Sequence, residues 1–361
     1  MPEILWISVV PSPYQRDFFR AWMARSECGG RVLYQQGAAD DSPWAAPELE
    51  PWEEILPGWG LGSGRVRFQC NRLTVDPGRF DGVVVNGSLT SPFVQWLMRW
   101  KLSGVPWWFW GERIRRDASV WKNRIRGWWA APLARAAGVA AVGRLAADDY
   151  AERFPGLPVA NIAYHCRLDA FYRPARISGR SEVVILFCGQ IIARKGVDVL
   201  LEAFSRLCAE RMPVRLRLVG RKGEWERLRA DLPEHVAERV EWRGFVQPEG
   251  LPGEFADVDL FVLPSRHDGW GVVVNQALGA GLPLVVSDGA GAAWDLVDEG
   301  RNGFRVPADR ADVLADRLAE LCRDEGLRAR MGAVSRSKAE AWGPEQAVDK
   351  WLAAFRQGGI A

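Results

Sequence analysis

Two loops in the second half of this 361-residue chain carry the side chains best suited to chemistry. The first, Gly189-Gln190-Ile191-Ile192-Ala193-Arg194-Lys195-Gly196, follows the apolar run Val183 to Cys188. A glycine there lets the backbone come close to a ligand. Arg194 and Lys195 stand together just ahead of a helical pattern, where the helix dipole also favours an anion. A diphosphate suits that combination, although a lone basic pair in a loop is usually plain surface. The second loop follows Leu263 and reads Pro264-Ser265-Arg266-His267-Asp268-Gly269-Trp270-Gly271-Val272 before the run Val273 to Pro283. An acidic residue precedes a Gly-Trp-Gly turn at a helix start, where backbone N–H groups can hold hydroxyl or phosphate oxygens. Gln276 lies eight residues past Asp268, two helical turns on, which predicts both polar side chains on one side of a helix.

Such loops need a scaffold, and the chain alternates strand and helix patterns to supply one. The first half opens on a strand from Ile4 to Val10, a loop Pro11-Ser12-Pro13-Tyr14, and a helix with Phe18, Phe19, Trp22 and Met23 on one face. Residues 38–63 are rich in Pro, Gly, Asp and Glu and read as a long loop or lid. Further strands are expected at Phe80–Gly87, Val105–Trp110 and Val139–Gly143, with a helix near Phe93–Leu102. Residues 168–182 break the rhythm and are placed as a linker, with Arg173-Pro174-Ala175, Gly179 and Ser181 as its markers. It then restarts with strands at Val183–Cys188, Val214–Val219, Val240–Phe245, Leu260–Leu263 and Leu284–Val286, and a helix at Val197–Cys208. The pattern predicts α/β architecture with two doubly wound parallel sheets, and ligands beyond the carboxyl ends of the strands. The expected domains are 1–172 and 173–343, with an amphipathic helix in 344–361 packing back on the first.

Composition narrows the function classes. The length fits two domains, and 48% apolar residues can bury both cores. A net charge of +2 offers no bulk basic excess for nucleic acid. One local basic run, Arg113, Arg115, Arg116, Lys122, Arg124 and Arg126, leaves two readings open: a solvated helix face, or a patch facing an anionic acceptor or an acidic membrane surface. The 19 tryptophans likewise divide between core and an aromatic surface for sugar rings or lipid headgroups. Six scattered cysteines without a CxxC, and no signal peptide or long apolar span, point to a reducing cytoplasmic setting, with peripheral contact at the inner face of the membrane left open. Asp257-Val258-Asp259 has the form of a metal-binding DxD, but it precedes the strand Leu260–Leu263 at the wrong end of a sheet for a ligand.

Taken in order, the two loops resemble the retaining GT-B glycosyltransferases of family 4. The usual pattern there is a G-R-(hydrophobic)-x3-K-G loop, then E-G-(Phe/Trp)-G-x4-E-A-(hydrophobic)-A-x-G-x-P. Val219-Gly220, Gly244-Phe245-Val246, Leu263-Pro264-Ser265 and Gly303-Phe304 fall in register with it, and the first half joins weakly through Pro11-Ser12-Pro13-Tyr14 and Asn86-Gly87. The resemblance implies two Rossmann-like domains facing a cleft and a hexose moved from a nucleotide-sugar, UDP before GDP, to a glycan or lipid-linked acceptor. It implies no metal and no cofactor, the donor being a substrate. By the same resemblance Lys195 and Arg194 face the donor diphosphate, and Phe245 and Val246 face the base. Asp268 stands for the glutamate on the sugar hydroxyls, and Gln276 for the glutamate on the ribose. Gly189, Gly220, Gly269, Trp270, Gly271, Val272 and Asn275 line the donor.

The chain departs from the pattern at Gln190, where arginine is usual, at Asp268, one methylene short, and at Gln276, which keeps hydrogen bonding without charge. A degenerate glycan- or partner-binding domain and a nucleotide-sugar epimerase of the same fold therefore stand as alternatives. On the acceptor side the candidates are Tyr14, Asn86, Gly87, Glu112 and His165. Glu112 closes an apolar strand and could meet acceptor hydroxyls or pair with Arg113 or Arg115. His165 could line the interdomain cleft or satisfy a local hydrogen bond, and His267 adjoins Asp268.

Overall fold

The structure, a computed structural model, describes residues 2–38, 44–63, 66–114, 119–172 and 181–360. It divides into two compact units: Met1–Cys166 together with Pro344–Ala361, and Arg167–Gly343.

The first unit holds β1 (Glu3–Ser8), β2 (Gly29–Tyr34), β3 (Glu53–Ile55), β4 (Gly58–Ser63), β5 (Val66–Asn71), β6 (Gly82–Asn86), β7 (Trp107–Gly111), β8 (Gly138–Ala141) and β9 (Val159–Asn161). Seven of them form one sheet in the order β3-β2-β1-β6-β7-β8-β9. Every pairing in it is parallel. Parallel strands covered on both faces need continuous apolar runs, and β6 and β7 are buried at every position. The chain winds outward from β1 and returns at β6, so the strand order reverses between those two.

The helix Pro344–Gln357 belongs to this unit. Trp351 and Phe355 are buried, and the Trp351 ring meets Trp6 edge-on at 5.0 Å and Trp110 at 5.5 Å. Phe18 and Trp22 complete the cluster on the Trp6 ring. Trp107, Trp108 and Trp110 of β7 fall on the core side of the division expected for the tryptophans.

Two local expectations change. Tyr14 lies in a helix, not a loop, because Pro13 opens the helix Pro13–Ala24 at the position where its missing N–H costs nothing. Residues 38–63 are not one long loop. Residues 39–43 lie outside the described residues, but β3 extends the main sheet and β4 pairs antiparallel with β5. Polar composition concealed β3, since its first residue, Glu53, is buried with its charge met internally. Glu53 accepts from Arg16 at 2.6 Å, from Tyr34 at 2.6 Å and from the Glu50 amide at 2.9 Å. Burial works against the Glu53 carboxylate, yet these partners outweigh it and hold its pKa below the usual range.

The second unit holds β10 (Val183–Cys188), β11 (Val214–Val219), β12 (Val240–Gly244), β13 (Leu260–Leu263), β14 (Leu284–Ser287) and β15 (Gly303–Val306), in the order β12-β11-β10-β13-β14-β15. All are parallel. Arg167–Tyr172, placed above partly in the first domain and partly in the linker, packs in this unit. Phe171 meets Phe255 at 5.3 Å and Arg336 lies 3.9 Å over Tyr172. The linker markers Arg173-Pro174-Ala175 and Gly179 lie outside the described residues. Asp259 accepts from the Val184 amide at 2.8 Å, tying β13 to β10 near their amino ends, away from the loops at the carboxyl edge.

Candidate active site

In the second sheet the strand order reverses between β10 and β13, the position where open α/β sheets bind ligands. The two loops singled out from sequence leave these two strands. Cys188 ends β10, and the chain makes one tight turn at Ala193–Lys195 before the helix Val197–Ala209 begins. Gly196 joins the loops closely. Its φ is +67°, and a Cβ there would stand 2.2 Å from the Pro264 carbonyl oxygen. Gly220, after β11, has φ +147°, and a Cβ on it would meet the Gly189 oxygen at 1.9 Å. Neither position accepts a side chain without moving backbone.

Lys195, Arg194 and Asp268 converge here. The Lys195 ammonium donates to Asp268 Oδ2, and Arg194 Nη1 reaches Asp268 Oδ1 at 3.5 Å and the His267 carbonyl at 3.1 Å. Lys195 and Asp268 keep only 12% and 13% of their side-chain surface. Two cations thus share one carboxylate in a partly desolvated niche. Around it, Phe245 follows the last residue of β12 and is exposed, and the Gly220 amide donates to the Gly244 carbonyl at 2.8 Å. Gln190, on the loop after β10, and Val246, on the loop after β12, are half-buried.

The second loop differs from its expected form. The helix starts only at Val273, and Gly271 has φ +94°, so Asp268 lies in a turn ahead of it. Helical spacing therefore does not relate Asp268 to Gln276, which is half-buried on the helix. Asp268 is fixed instead by the chain after β14. Its amide donates to the Gly289 carbonyl at 3.0 Å, and its own carbonyl accepts from the Gly291 amide at 3.0 Å. Trp270 and Asn275 turn inward. The Trp270 indole donates to Asn275 Oδ1 at 2.8 Å and stacks on Trp342 at 5.6 Å. Both side chains are buried, which leaves backbone, not the indole or the amide, to face a donor at these positions.

Two contributors were not singled out from sequence. Arg266 clamps the loops: it donates to both oxygens of Asp198 at 2.8 and 2.7 Å, to Asp309 at 2.5 Å and to the Ala193 carbonyl at 2.5 Å. The hydrogen bonds to Asp198 raise the Arg266 pKa and hold the Asp198 carboxyl below its usual value. The other is the run Asp288-Gly289-Ala290-Gly291, small residues at the carboxyl end of β14. Strand-then-glycine was its legible signal.

The first unit places a pocket of about 440 Å³ at the carboxyl ends of β1, β6 and β7, where its own strand order reverses. Asn86, Gly87, Glu112 and Tyr164 line it, with Arg113 and Arg126 as cations. Tyr14 stands behind, its ring 5.0 Å from Tyr164. The Asn86 side chain is committed to structure: it donates to the Trp110 carbonyl at 2.8 Å and accepts from Gln15 at 3.0 Å. Tyr150 donates to the Glu112 carbonyl at 2.9 Å. Arg115 lies outside the described residues. His165 is buried elsewhere in the unit, with Nδ1 2.7 Å from the Ala163 carbonyl and Nε2 3.3 Å from Lys350 Nζ. Burial, then the Lys350 charge, pushes its pKa down to about 3, so the ring is neutral and local.

Residues 182–324 match the family model described as Glycosyl transferases group 1. A phosphatidyl-myo-inositol mannosyltransferase of Mycobacterium leprae is 31% identical over 197 residues, covering 52% of each chain. A GDP-mannose-dependent monoacylated alpha-(1-6)-phosphatidylinositol monomannoside mannosyltransferase of Corynebacterium glutamicum is 29% identical over 165 residues, 44% of this chain and 42% of that one. The chain thus matches about half the length of these curated relatives. The crystal structure of Anabaena HepE in complex with UDP and glucose superposes over 99% of both chains, with a TM-score of 0.69 at 16% identity. The chain therefore has the GT-B fold, and its residues 182–324 are similar to the group 1 glycosyl transferases.

Proposed function

We propose that this chain transfers a hexose-type sugar from a nucleotide-sugar to a glycan or lipid-linked acceptor, with retention and without a metal. One observation carries the reading: Lys195 and Arg194 converge with Asp268 at the strand-order reversal of the second unit. As the bond from the sugar C1 to the diphosphate oxygen breaks, negative charge grows on the β-phosphate. The two cations neutralise it in a niche that already excludes much water. Asp268 accepts from sugar hydroxyls, and Gln276 hydrogen-bonds the ribose. The acceptor oxygen forms the new bond to C1 on the leaving-group face and passes its proton to the departing phosphate. No protein nucleophile is required.

A UDP-sugar is the first expectation, and the name of the Corynebacterium relative supports trying GDP-mannose beside it. The test is a thermal-shift screen with UDP, GDP, ADP and their sugars, followed by turnover with the stabilising donor. Stabilisation by one nucleotide family is expected, and turnover should fall by about 100-fold or more in Lys195→Ala. Unchanged turnover in that variant overturns the site. A glycan-binding module is the second reading, favoured by the charge lost at Gln276. It predicts calorimetric glycan binding with no nucleotide binding.

A further inference from the structure

The helix Val120–Ala130 and the neighbouring helical stretch Pro92–Lys101 place large apolar groups in solvent. Trp100 is 66% exposed, Trp121 68%, Ile125 41% and Trp128 58%. Trp121, Ile125 and Trp128 recur at steps of four and three, which aligns them on one helix face. Cations are interleaved with them and acids are absent. Val120–Ala130 carries Lys122, Arg124 and Arg126, and Pro92–Lys101 carries Arg99 and Lys101, with no Asp or Glu in either. The two stretches are one built surface. Gln95 donates to the Trp129 carbonyl at 2.8 Å, Arg99 donates to the Trp128 carbonyl at 2.9 Å, and the Arg99 guanidinium lies 4.5 Å over the Trp128 ring.

We infer that this surface docks the first unit on an anionic lipid bilayer. A core helix would turn its tryptophans inward, as β7 does. A solvated helix would carry both charge signs and few aromatics. Indole rings beside Lys and Arg, without acids, match a headgroup layer: the rings enter the interface while the cations meet lipid phosphates. The same helix turns Arg126 and Trp129 into the wall of the 440 Å³ pocket, so docking brings the pocket wall to the headgroup layer. That the acceptor is then a lipid headgroup or a lipid-linked sugar rests on the transferase reading. The docking itself does not.

Flotation of the full chain with phosphatidylcholine vesicles, with and without about one-third phosphatidylglycerol, tests it. The chain should float with the anionic vesicles and stay behind with the neutral ones. Trp121→Ser with Trp128→Ser, and separately Lys122→Glu with Arg124→Glu, should each weaken partitioning about tenfold or more. All four positions are exposed, and unchanged melting temperatures would show that the variants fold. No flotation of the wild type, or equal flotation of the folded variants, overturns the inference. So does a concentration-dependent dimer that the tryptophan variants abolish while the wild type ignores vesicles, because the face would then cover a second copy. A nucleotide-induced thermal shift that persists while flotation fails would sink the docking and leave the donor site standing.

Discussion

Lys195 donates its ammonium proton to Asp268 across 73 residues of sequence, and that contact closes the two loops of the second unit on each other. The pairing separates affinity from turnover. Asp268→Asn frees Lys195 for phosphate while removing the acceptor for sugar hydroxyls. Nucleotide affinity by calorimetry should hold or rise, while kcat falls by about 100-fold. Equal loss in both would mean that Asp268 serves only to fold the loop. In a thermal-unfolding cycle with Lys195→Ala, the pair should show a coupling of about 0.5–3 kcal/mol.

Arg266 touches no donor-facing atom in this reading, yet it fastens both loops. Arg266→Lys keeps the charge but not the fork that grips both Asp198 oxygens. Its kcat/KM for donor should drop by about tenfold, with most of the change in KM. Steady-state kinetics with the donor varied decide it, and a pure kcat effect would place Arg266 in the chemistry instead.

Acid should destabilise the first unit through His165. Its folded pKa, about 3, lies below the ordinary value of 6.5. The unfolded chain therefore binds the proton first, and stability drains as pH falls below 6.5, by up to about 1.4 kcal/mol per pH unit. Urea unfolding between pH 7.5 and 5 should show that slope, and His165→Gln should flatten it. Glu53 adds a separate loss below the ordinary carboxylate range, because its folded pKa is depressed and its ion pair persists until it is protonated.

Trp351 sits at the centre of the aromatic cluster, against Trp6, Phe18, Trp108, Trp110 and Phe355. Trp351→Ala should cost about 3–5 kcal/mol by opening a cavity there. Trp351→Phe should cost much less, and its buried indole N–H, which has no hydrogen-bond partner, is no loss. Denaturant midpoints of the two variants compare them directly.

Much of this was legible in sequence where one element's residues carry the signal alone. Val183–Cys188, Val214–Val219 and Leu260–Leu263 are strands at the expected residues, because apolar runs between glycine and proline punctuation leave little choice. Lys195 and Asp268 were visible as types in loops. What stayed hidden depends on partners distant in sequence. β3 reads as loop because Glu53 is polar, and only Arg16 and Tyr34 make its burial tolerable. Trp270 reads as a ligand-facing aromatic, and only Trp342 and Asn275 show that it points inward. Arg266 reads as surface until Asp198 and Asp309 are beside it. The exposed tryptophans at 121 and 128 look like those at 108 and 110 until burial separates them.

The chain leaves its first unit after Cys166 and re-enters it at Pro344, so the whole second unit is inserted within the first. On the ribosome, residues 1–166 emerge long before Trp351 and Phe355 exist to cover Trp6, Trp22 and Trp108. The first-made half must wait with an open aromatic groove while the second-made half can already finish folding. The order of synthesis and the order of completion are thus reversed.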